Sequence, residues 1–167
     1  MTLGPHFIPD PENPRALRDA FGRFATGVTI VTVASNQGPV AITANSFSSV
    51  SMNPPLVLWS PDKASRRFAY FAGAEHFAIH VLAADQGDLC LRIAKDMHGL
   101  GAEEWAVNAE GVPVLNHCLA RFECRQHAVY DGGDHDIVVG QVLRASVSEA
   151  GDALGFFKGK MKRFTDQ

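Results

Sequence analysis

Two long strand-like segments around a glycine-rich turn are the feature that most restricts the fold of this chain. Residues 118–127 separate mostly polar from mostly apolar side chains with a two-residue period, as a half-buried strand does. Residues 137–147 show a second strand pattern, and the turn 130–135 between the two contains Gly132 and Gly133. This arrangement predicts a long antiparallel hairpin with His135 at its mouth.

Other segments favour the same kind of fold. Val28–Ala34 is rich in β-branched residues, and a turn at 36–39 joins it to the strand that holds Thr43 and Asn45. His76–Leu82 alternates again, with His80 on an apolar face where a hydrogen-bonded core histidine is the default interpretation. Several hairpins with few helices predict a mainly β, antiparallel, Greek-key-like barrel with a few flanking helices.

The chain reads as one domain with an N-terminal arm. Residues 1–13 contain three prolines and no periodicity, which predicts an extended arm, and residues 14–167 show no repeat or linker. Asn13 and Pro14 can begin a helix whose apolar stripe is expected to pack on a core; the stripe consists of Leu17, Ala20, Phe21 and Phe24.

Composition excludes several partners and sites. The 167 residues carry a formal net charge of −3, which provides no field for holding nucleic acid or an anionic membrane. The chain contains no apolar run of about 20 residues, and its start lacks the regions of a signal peptide, so we expect a cytoplasmic protein. Its 3 cysteines show no Cys-x-x-Cys spacing and are interpreted as small core residues.

The stretch Thr43–Ser60 is a candidate ligand bed. Its first residues alternate small apolar side chains with Thr and Asn, so that a flat ligand could approach the backbone and find hydrogen-bonding groups. The alternative is a strand that enters an Asn/Ser/Pro-rich connection whose hydroxyls bond only locally. On these residues alone, the alternative is preferred.

A second candidate site follows the buried strand Leu56–Trp59. Ser60 and Pro61 form a helix-start signature, and the next residues carry the side chains of Lys63, Ser65, Arg66 and Arg67. Free amides, the helix dipole and cations at one point suit a phosphate group. A solvated basic helix face is an equally good interpretation.

Common catalytic motifs are absent from the sequence. It contains no Gly-x-Gly-x-x-Gly after a strand, no Gly-x-x-x-x-Gly-Lys-Ser/Thr and no Gly-x-Ser-x-Gly. A metal site could be drawn from His127, Asp134, His135 and Asp136, but no ligand spacing supports it, and these are better interpreted as turn residues. We therefore expect no metal.

Five segments follow an order known from one family. They are 24–32, 43–51 with 54–57, 77–82 with 85–86, 111–115, and 133–135 ahead of Gly140, and they cover nearly all of residues 15–164. In this order the chain resembles the flavin reductase family, the small NAD(P)H-using partners of two-component flavin monooxygenases.

The resemblance implies an FMN-binding split β-barrel, usually a homodimer with the flavin near the subunit interface. The segment along the isoalloxazine ring corresponds to Thr43, Ala44, Asn45 and Ser46, with Phe47 nearby. The turn that meets the phosphate or ribityl chain corresponds to Ser60, Lys63, Ser65 and Arg66 or Arg67. The Gly-Asp-His turn, associated with nicotinamide, places His135 in the catalytic role of receiving that ring.

The function implied is reduction of FMN, or of FAD, by NADH or NADPH, with the reduced flavin passed to a separate monooxygenase. Two alternatives stay open: a non-catalytic flavin carrier of the same fold, and an FMN-dependent oxidase with its own organic substrate. The sequence does not distinguish FMN from FAD or NADH from NADPH, and it does not identify the monooxygenase.

Overall fold

The computed structural model describes residues 2–165, where the chain forms three α-helices and twelve β-strands. The helices are α1 (Arg15–Phe21), α2 (Phe68–Ala72) and α3 (Gly87–Lys95). The strands are β1 (Thr26–Gly27), β2 (Thr29–Val33), β3 (Val40–Ala44), β4 (Ser48–Met52), β5 (Pro55–Trp59), β6 (His76–Val81), β7 (Trp105–Val107), β8 (Pro113–Leu115), β9 (Ala120–Gly132), β10 (His135–Val147), β11 (Ala153–Phe157) and β12 (Lys160–Phe164). Met1, Asp166 and Gln167, which the predicted arm and domain include, lie outside the described residues.

Seven strands form the main sheet, in the order β3-β2-β6-β9-β10-β5-β4, and all of its neighbours are antiparallel. A three-stranded sheet, β1-β11-β12, and the hairpin β7-β8 complete the strands of the described part of the chain. The mainly β, antiparallel fold class is therefore confirmed. The predicted long hairpin is confirmed too, because β9 and β10 pair along their length and His135 faces Gly132 at the turn.

The core lies on both faces of the central strands, and all five residues of β2 are buried. On one face, Trp59 meets Phe71 edge-on, with ring centroids 5.2 Å apart. The opposite face packs against α3; its buried side chains include Ile30, Leu82, Ile93 and Leu115. Packing on two sides holds β2 and β6 rigidly. The candidate site lies at the ends of the neighbouring strands, β3 beside β2 and β9 beside β6.

His80 is the satisfied core histidine that the sequence predicts. Its side chain is fully buried in β6, where Nδ1 lies 3.0 Å from the Ile30 carbonyl oxygen. The backbone N–H of Leu115 donates to Nε2 over 3.1 Å. Because Nε2 accepts, the proton of the neutral ring sits on Nδ1, so that His80 joins β2, β6 and β8.

Two local predictions are wrong. No helix begins at Ser60-Pro61: α2 begins only at Phe68, because the backbone of Pro61 and Lys63 bonds to the tip of the β9-β10 hairpin and residues 63–67 form turns. Helix α1 does not pack on a core within the described chain. It has no buried residue, and Phe21 and Phe24 are 68% and 77% exposed.

The segment Ser48–Met52, interpreted from the sequence as a connection, is an edge strand. As β4 it pairs with β5, which places β5 next to the edge of the sheet rather than deep inside it. The side chains of Val57 and Trp59 are nevertheless buried, because they point into the core from this position. Residues 2–13 form no helix or strand and are exposed. In the part of the chain that is described, no helix has the length and apolar character needed to cross a membrane.

Candidate functional site

Thr43 and Ala44 end strand β3, and Asn45 follows in an exposed position. Strand β2 pairs Thr29 with Ala44, and the Thr29 hydroxyl donates to the Ala44 carbonyl oxygen over 2.8 Å. This additional bond fixes the last residue of the strand. Asn45 therefore follows a rigid support, and its side chain is exposed.

Ser46 and Phe47 anchor the loop between β3 and β4. The backbone N–H of Ser60 donates to the Ser46 hydroxyl oxygen over 2.9 Å, across from the end of β5. Phe47 stacks on Phe122 of β9, with centroids 5.4 Å apart and ring planes inclined by 17°. Both side chains are therefore engaged within the protein, and they set the position of the polar residues before them.

A cavity of about 310 Å³ opens beside this strand end. It is lined by Val28, Thr43, Ala44, Asn45, Cys90, Leu91, Ala94, Phe156 and Met161. Its walls are mostly apolar, with a hydroxyl and an amide on one side. Volume and lining are those of a site for a flat, largely apolar ring system that needs a few polar contacts for orientation.

A second, polar cavity of about 420 Å³ shares one lining residue with the first. It is lined by Ser65, Arg66, Arg67, Ala94, Lys95, Asp96, Met97 and His98. Ala94, near the end of α3, lines both cavities. The fold thus brings two of the segments singled out in the sequence, Thr43–Asn45 and Ser65–Arg67, to cavities that share one residue near the end of α3.

Arg67 is the most constrained cation of the polar cavity. Its Nη2 donates to the Ala94 carbonyl oxygen over 3.2 Å, and burial lowers the pKa of its guanidinium. Arg66 is exposed, and no ion pair involving its side chain occurs within residues 2–165. With Lys95 beside them and Asp96 as the acidic residue of the lining, these groups favour an anionic ligand.

Lys63 lies away from this cavity. Its ammonium group contacts the Asp131 carboxylate, lies 2.8 Å from the Gly133 carbonyl oxygen, and lies 3.3 Å from a carboxylate oxygen of Asp136. The Asp131 side chain raises the pKa of Lys63 and has its own pKa lowered in return. The charge of Lys63 is therefore compensated at the hairpin tip.

His135 begins strand β10 at the same hairpin tip. Its side chain is 41% exposed, and Nδ1 lies 2.8 Å from a carboxylate oxygen of Asp134, whose pKa it lowers. Asp62 pairs with His135 through an isolated antiparallel bridge. Across residues 2–165, no three His, Cys, Asp or Glu side chains are grouped as metal ligands would be.

Several lining residues were not found from the sequence. Leu91 and Ala94 lie on α3, Phe156 on β11 and Met161 on β12, and only the tertiary arrangement of these elements brings them into one cavity with Thr43. A third groove, of about 920 Å³, shares Asn45 and Phe156 with the first cavity; it is also lined by Arg18, Phe21, Phe24 and Lys158. The apolar stripe of the first helix could have indicated this groove in the sequence, but the stripe was interpreted as facing a core.

Comparison with known proteins gives one consistent result. The model of the flavin reductase like domain matches residues 21–165. The chain is 52% identical over 161 residues to the FMN reductase (NADH) SmoA of Agrobacterium fabrum. The matched region covers 96% of this chain and 92% of that protein. It is 43% identical over 148 residues to the reductase component of the flavin-dependent trigonelline monooxygenase of Acinetobacter baylyi, covering 87% of this chain and 47% of that protein.

A solved structure agrees in shape as well. The NADH:FAD oxidoreductase SgcE6 of Streptomyces globisporus, in complex with NAD and FAD fragments, matches with a TM-score of 0.87 and 36% identity. The match covers 96% of this chain and 98% of that one.

Proposed function

The chain belongs to the flavin reductase like domain family, and on this premise we propose that it is an NADH-dependent flavin reductase that reduces FMN or FAD. Membership rests on the match over residues 21–165. The activity rests on 52% identity to an FMN reductase (NADH), and FAD is included because the structural relative is an NADH:FAD oxidoreductase.

The residues present fit a flavin. The single observation that carries the proposal is the pair of cavities that share Ala94 as a lining residue, one largely apolar and one cationic. A flavin mononucleotide has the same division, with a flat ring system at one end and a phosphate at the other. When bound, the flavin supplies the ring that accepts hydride from the nicotinamide, and the protein supplies binding and orientation.

We assign the ring side to Thr43, Ala44 and Asn45, with Ser46 and Phe47 as their support. The hydroxyl of Thr43 and the amide of Asn45 would bond the polar edge of the ring, and the small Ala44 leaves room for its face. Donors aimed at the ring also favour the negative charge that a reduced flavin carries. The rigid end of β3 makes this orientation precise.

We assign the phosphate side to Ser65, Arg66 and Arg67, which line the polar cavity. Ser60 is not assigned a contact with the phosphate; its role is to hold Ser46 through the backbone N–H that donates to the Ser46 hydroxyl oxygen. Guanidinium groups pair with phosphate oxygens in a planar, two-bond arrangement, which suits this cavity. Lys63 is left out of the phosphate site because its charge is already compensated by two carboxylates.

His135 is proposed to receive the nicotinamide. A bound flavin would take hydride directly from the nicotinamide, so His135 is not needed as a base, and the protein's task would be to hold the two rings face to face. A half-exposed imidazole at the mouth of a hairpin can pack against a ring or bond an amide. Gly133 in the adjoining turn has a φ of 85°, a left-handed conformation that favours glycine, and as glycine it places no side chain beside His135.

The assembly is proposed to be a homodimer that serves a separate monooxygenase. The trigonelline monooxygenase relative is a reductase component, which supports a monooxygenase as the acceptor of reduced flavin. Phe21 is 68% exposed and Met52 is 92% exposed, so apolar surface is available on both α1 and β4. Light scattering at low micromolar concentration tests the dimer, and a monomer with full flavin affinity would contradict it.

Residues 14–167 are proposed to be the single domain of this reductase, preceded by the arm 1–13. A cytoplasmic location is proposed as well, since NADH and the monooxygenase acceptor would be available there.

Steady-state NADH consumption with added flavin tests the activity. We expect the rate to rise with FMN or FAD at concentrations far above that of the protein, without a third substrate. Running FMN against FAD and NADH against NADPH in the same assay identifies the preferred pair. A flavin carrier would not consume NADH, and an oxidase would need an organic substrate, so either result would contradict the proposal.

A further inference from the structure

The segment Pro61–Lys63 is bonded along its backbone to the tip of the β9-β10 hairpin. The Asp136 N–H donates to the Pro61 carbonyl oxygen over 3.1 Å, and the Lys63 N–H donates to the Asp134 carbonyl oxygen over 3.0 Å. The isolated bridge to His135 lies between these two bonds. The position of His135 therefore depends directly on this short segment.

Ser60, the residue before this segment, is attached to the β3-β4 loop, which follows the residues assigned to the flavin ring. The Ser60 N–H donates to the Ser46 hydroxyl oxygen over 2.9 Å, and Ser46 directly follows Asn45. Residues 60–63 thus contact both the β3-β4 loop and the hairpin tip. Four consecutive residues span at most about 14 Å. The β3-β4 loop and the hairpin tip therefore have little freedom to move apart while both attachments hold.

The side chain of Lys63 closes the second of these attachments. Its ammonium group meets Asp131 and Asp136, which lie on the two different strands of the hairpin, and the Gly133 carbonyl oxygen in the turn between them. Removing the ammonium group would leave the two carboxylates facing each other without a cation between them. The tip would then separate from the segment or change its shape.

We infer that Lys63 is a positioning residue, which holds the hairpin tip and its His135 in register with the flavin-ring side of the site, and that it does not bind the flavin phosphate. This inference rests on the proposed function, because it assigns the nicotinamide to His135. The ion pairs are partly exposed and add little to global stability. Their effect is on the placement of a turn, where a displacement of about 1 Å is sufficient to slow a reaction between two bound rings.

Lys63→Met tests the inference, with Lys63→Arg as the conservative variant. We expect Lys63→Met to raise the KM for NADH by about 10-fold or more and to change the Kd values of FMN and riboflavin by less than about 2-fold. Lys63→Arg, which keeps the cation, should recover most of the loss. Lys162→Met is the matched control, because it removes an exposed lysine from β12 that lines none of the cavities above.

A second variant pair examines the partners of Lys63. The double variant Asp131→Asn/Asp136→Asn should cause a similar rise in KM for NADH. Adding Lys63→Met to this double variant should raise the KM little further, because all three changes remove the same interaction between the ammonium group and the carboxylates. Thermal unfolding confirms that each variant is folded.

Three results would overturn the inference. The first is a weaker FMN affinity with unchanged riboflavin affinity in Lys63→Met, which would make Lys63 a phosphate ligand. The second is an unchanged KM for NADH in a folded variant, and the third is full additivity of the Lys63 and aspartate changes. Absence of flavin-dependent NADH consumption in the unmodified protein would instead contradict the proposed function.

Discussion

Acidification below pH 6.5 should destabilise the folded protein through His80. Burial lowers the pKa of this imidazole to about 4, and the nearby Arg121 guanidinium acts in the same direction. The hydrogen bond to the Ile30 carbonyl oxygen opposes this change without cancelling it. The ring is held neutral between two strands, and a second proton would have to displace the Leu115 N–H from Nε2.

The sign and magnitude follow from proton binding. The folded pKa is below the unfolded value of about 6.5, so the unfolded chain takes up a proton between pH 6.5 and 4 that the folded chain does not. Stability is therefore complete above pH 6.5 and is lost as the pH falls. A difference of about 2.5 units corresponds to about 3 kcal/mol in total, of which about 2 kcal/mol is lost between pH 7 and pH 5.

Urea unfolding at pH 7 and at pH 5 measures this loss in the unmodified protein and in His80→Asn. The variant has no titrating group at this position, so its loss between the two pH values should be smaller by about 2 kcal/mol, whatever its stability at pH 7. If the variant does not fold, NMR titration of the His80 ring in the native protein gives the same test. Equal losses in both proteins, or a His80 ring that titrates near pH 6.5 in the folded state, would refute the reasoning.

Three further changes test the site and the core. Arg66→Ala should raise the Kd of FMN by about 5- to 10-fold through loss of a phosphate contact and leave riboflavin unaffected, as measured by flavin fluorescence; equal effects on both ligands would contradict the phosphate site. His135→Ala should lower kcat/KM for NADH by at least about 10-fold with FMN affinity intact, and a chelator should change nothing; unchanged kinetics, or inhibition by the chelator, would remove this role. Gly140→Ala would place Cβ 2.6 Å from the Phe77 ring and should cost about 1 to 3 kcal/mol in urea unfolding, whereas Gly4→Ala, which meets no atom within 4 Å, should cost little.

The strands that carry the site could be predicted from the sequence because their signal is local. Alternation along residues 118–147 reports which side chains face the core, and it located the β9-β10 hairpin and His135 at its mouth. The assignment of His80 to the core succeeded for the same reason, since its neighbours in β6 are apolar.

The failures came from pairing between distant parts of the chain. Ser60-Pro61 has the residues of a helix start, but the Pro61 carbonyl oxygen accepts from the Asp136 N–H and the Lys63 N–H donates to the Asp134 carbonyl oxygen. Both bonds join residues more than 70 positions apart, and no local pattern reports that pairing. The ion pair of Lys63 with Asp131 could not be predicted either, because the two residues lie 68 positions apart in the chain. The exposed stripe of α1 looks like a core-facing stripe in sequence, because the pattern does not say what covers it.

Reduction of excess flavin under anaerobic conditions tests the central claim most directly. A small amount of protein is mixed with a large excess of FMN, NADH is added in known amounts, and the visible absorption of oxidised FMN is followed. A flavin reductase should bleach one FMN per NADH, for many equivalents of FMN per protein chain. Bleaching that stops at one flavin per chain, or no bleaching at all, would contradict the function proposed for this protein.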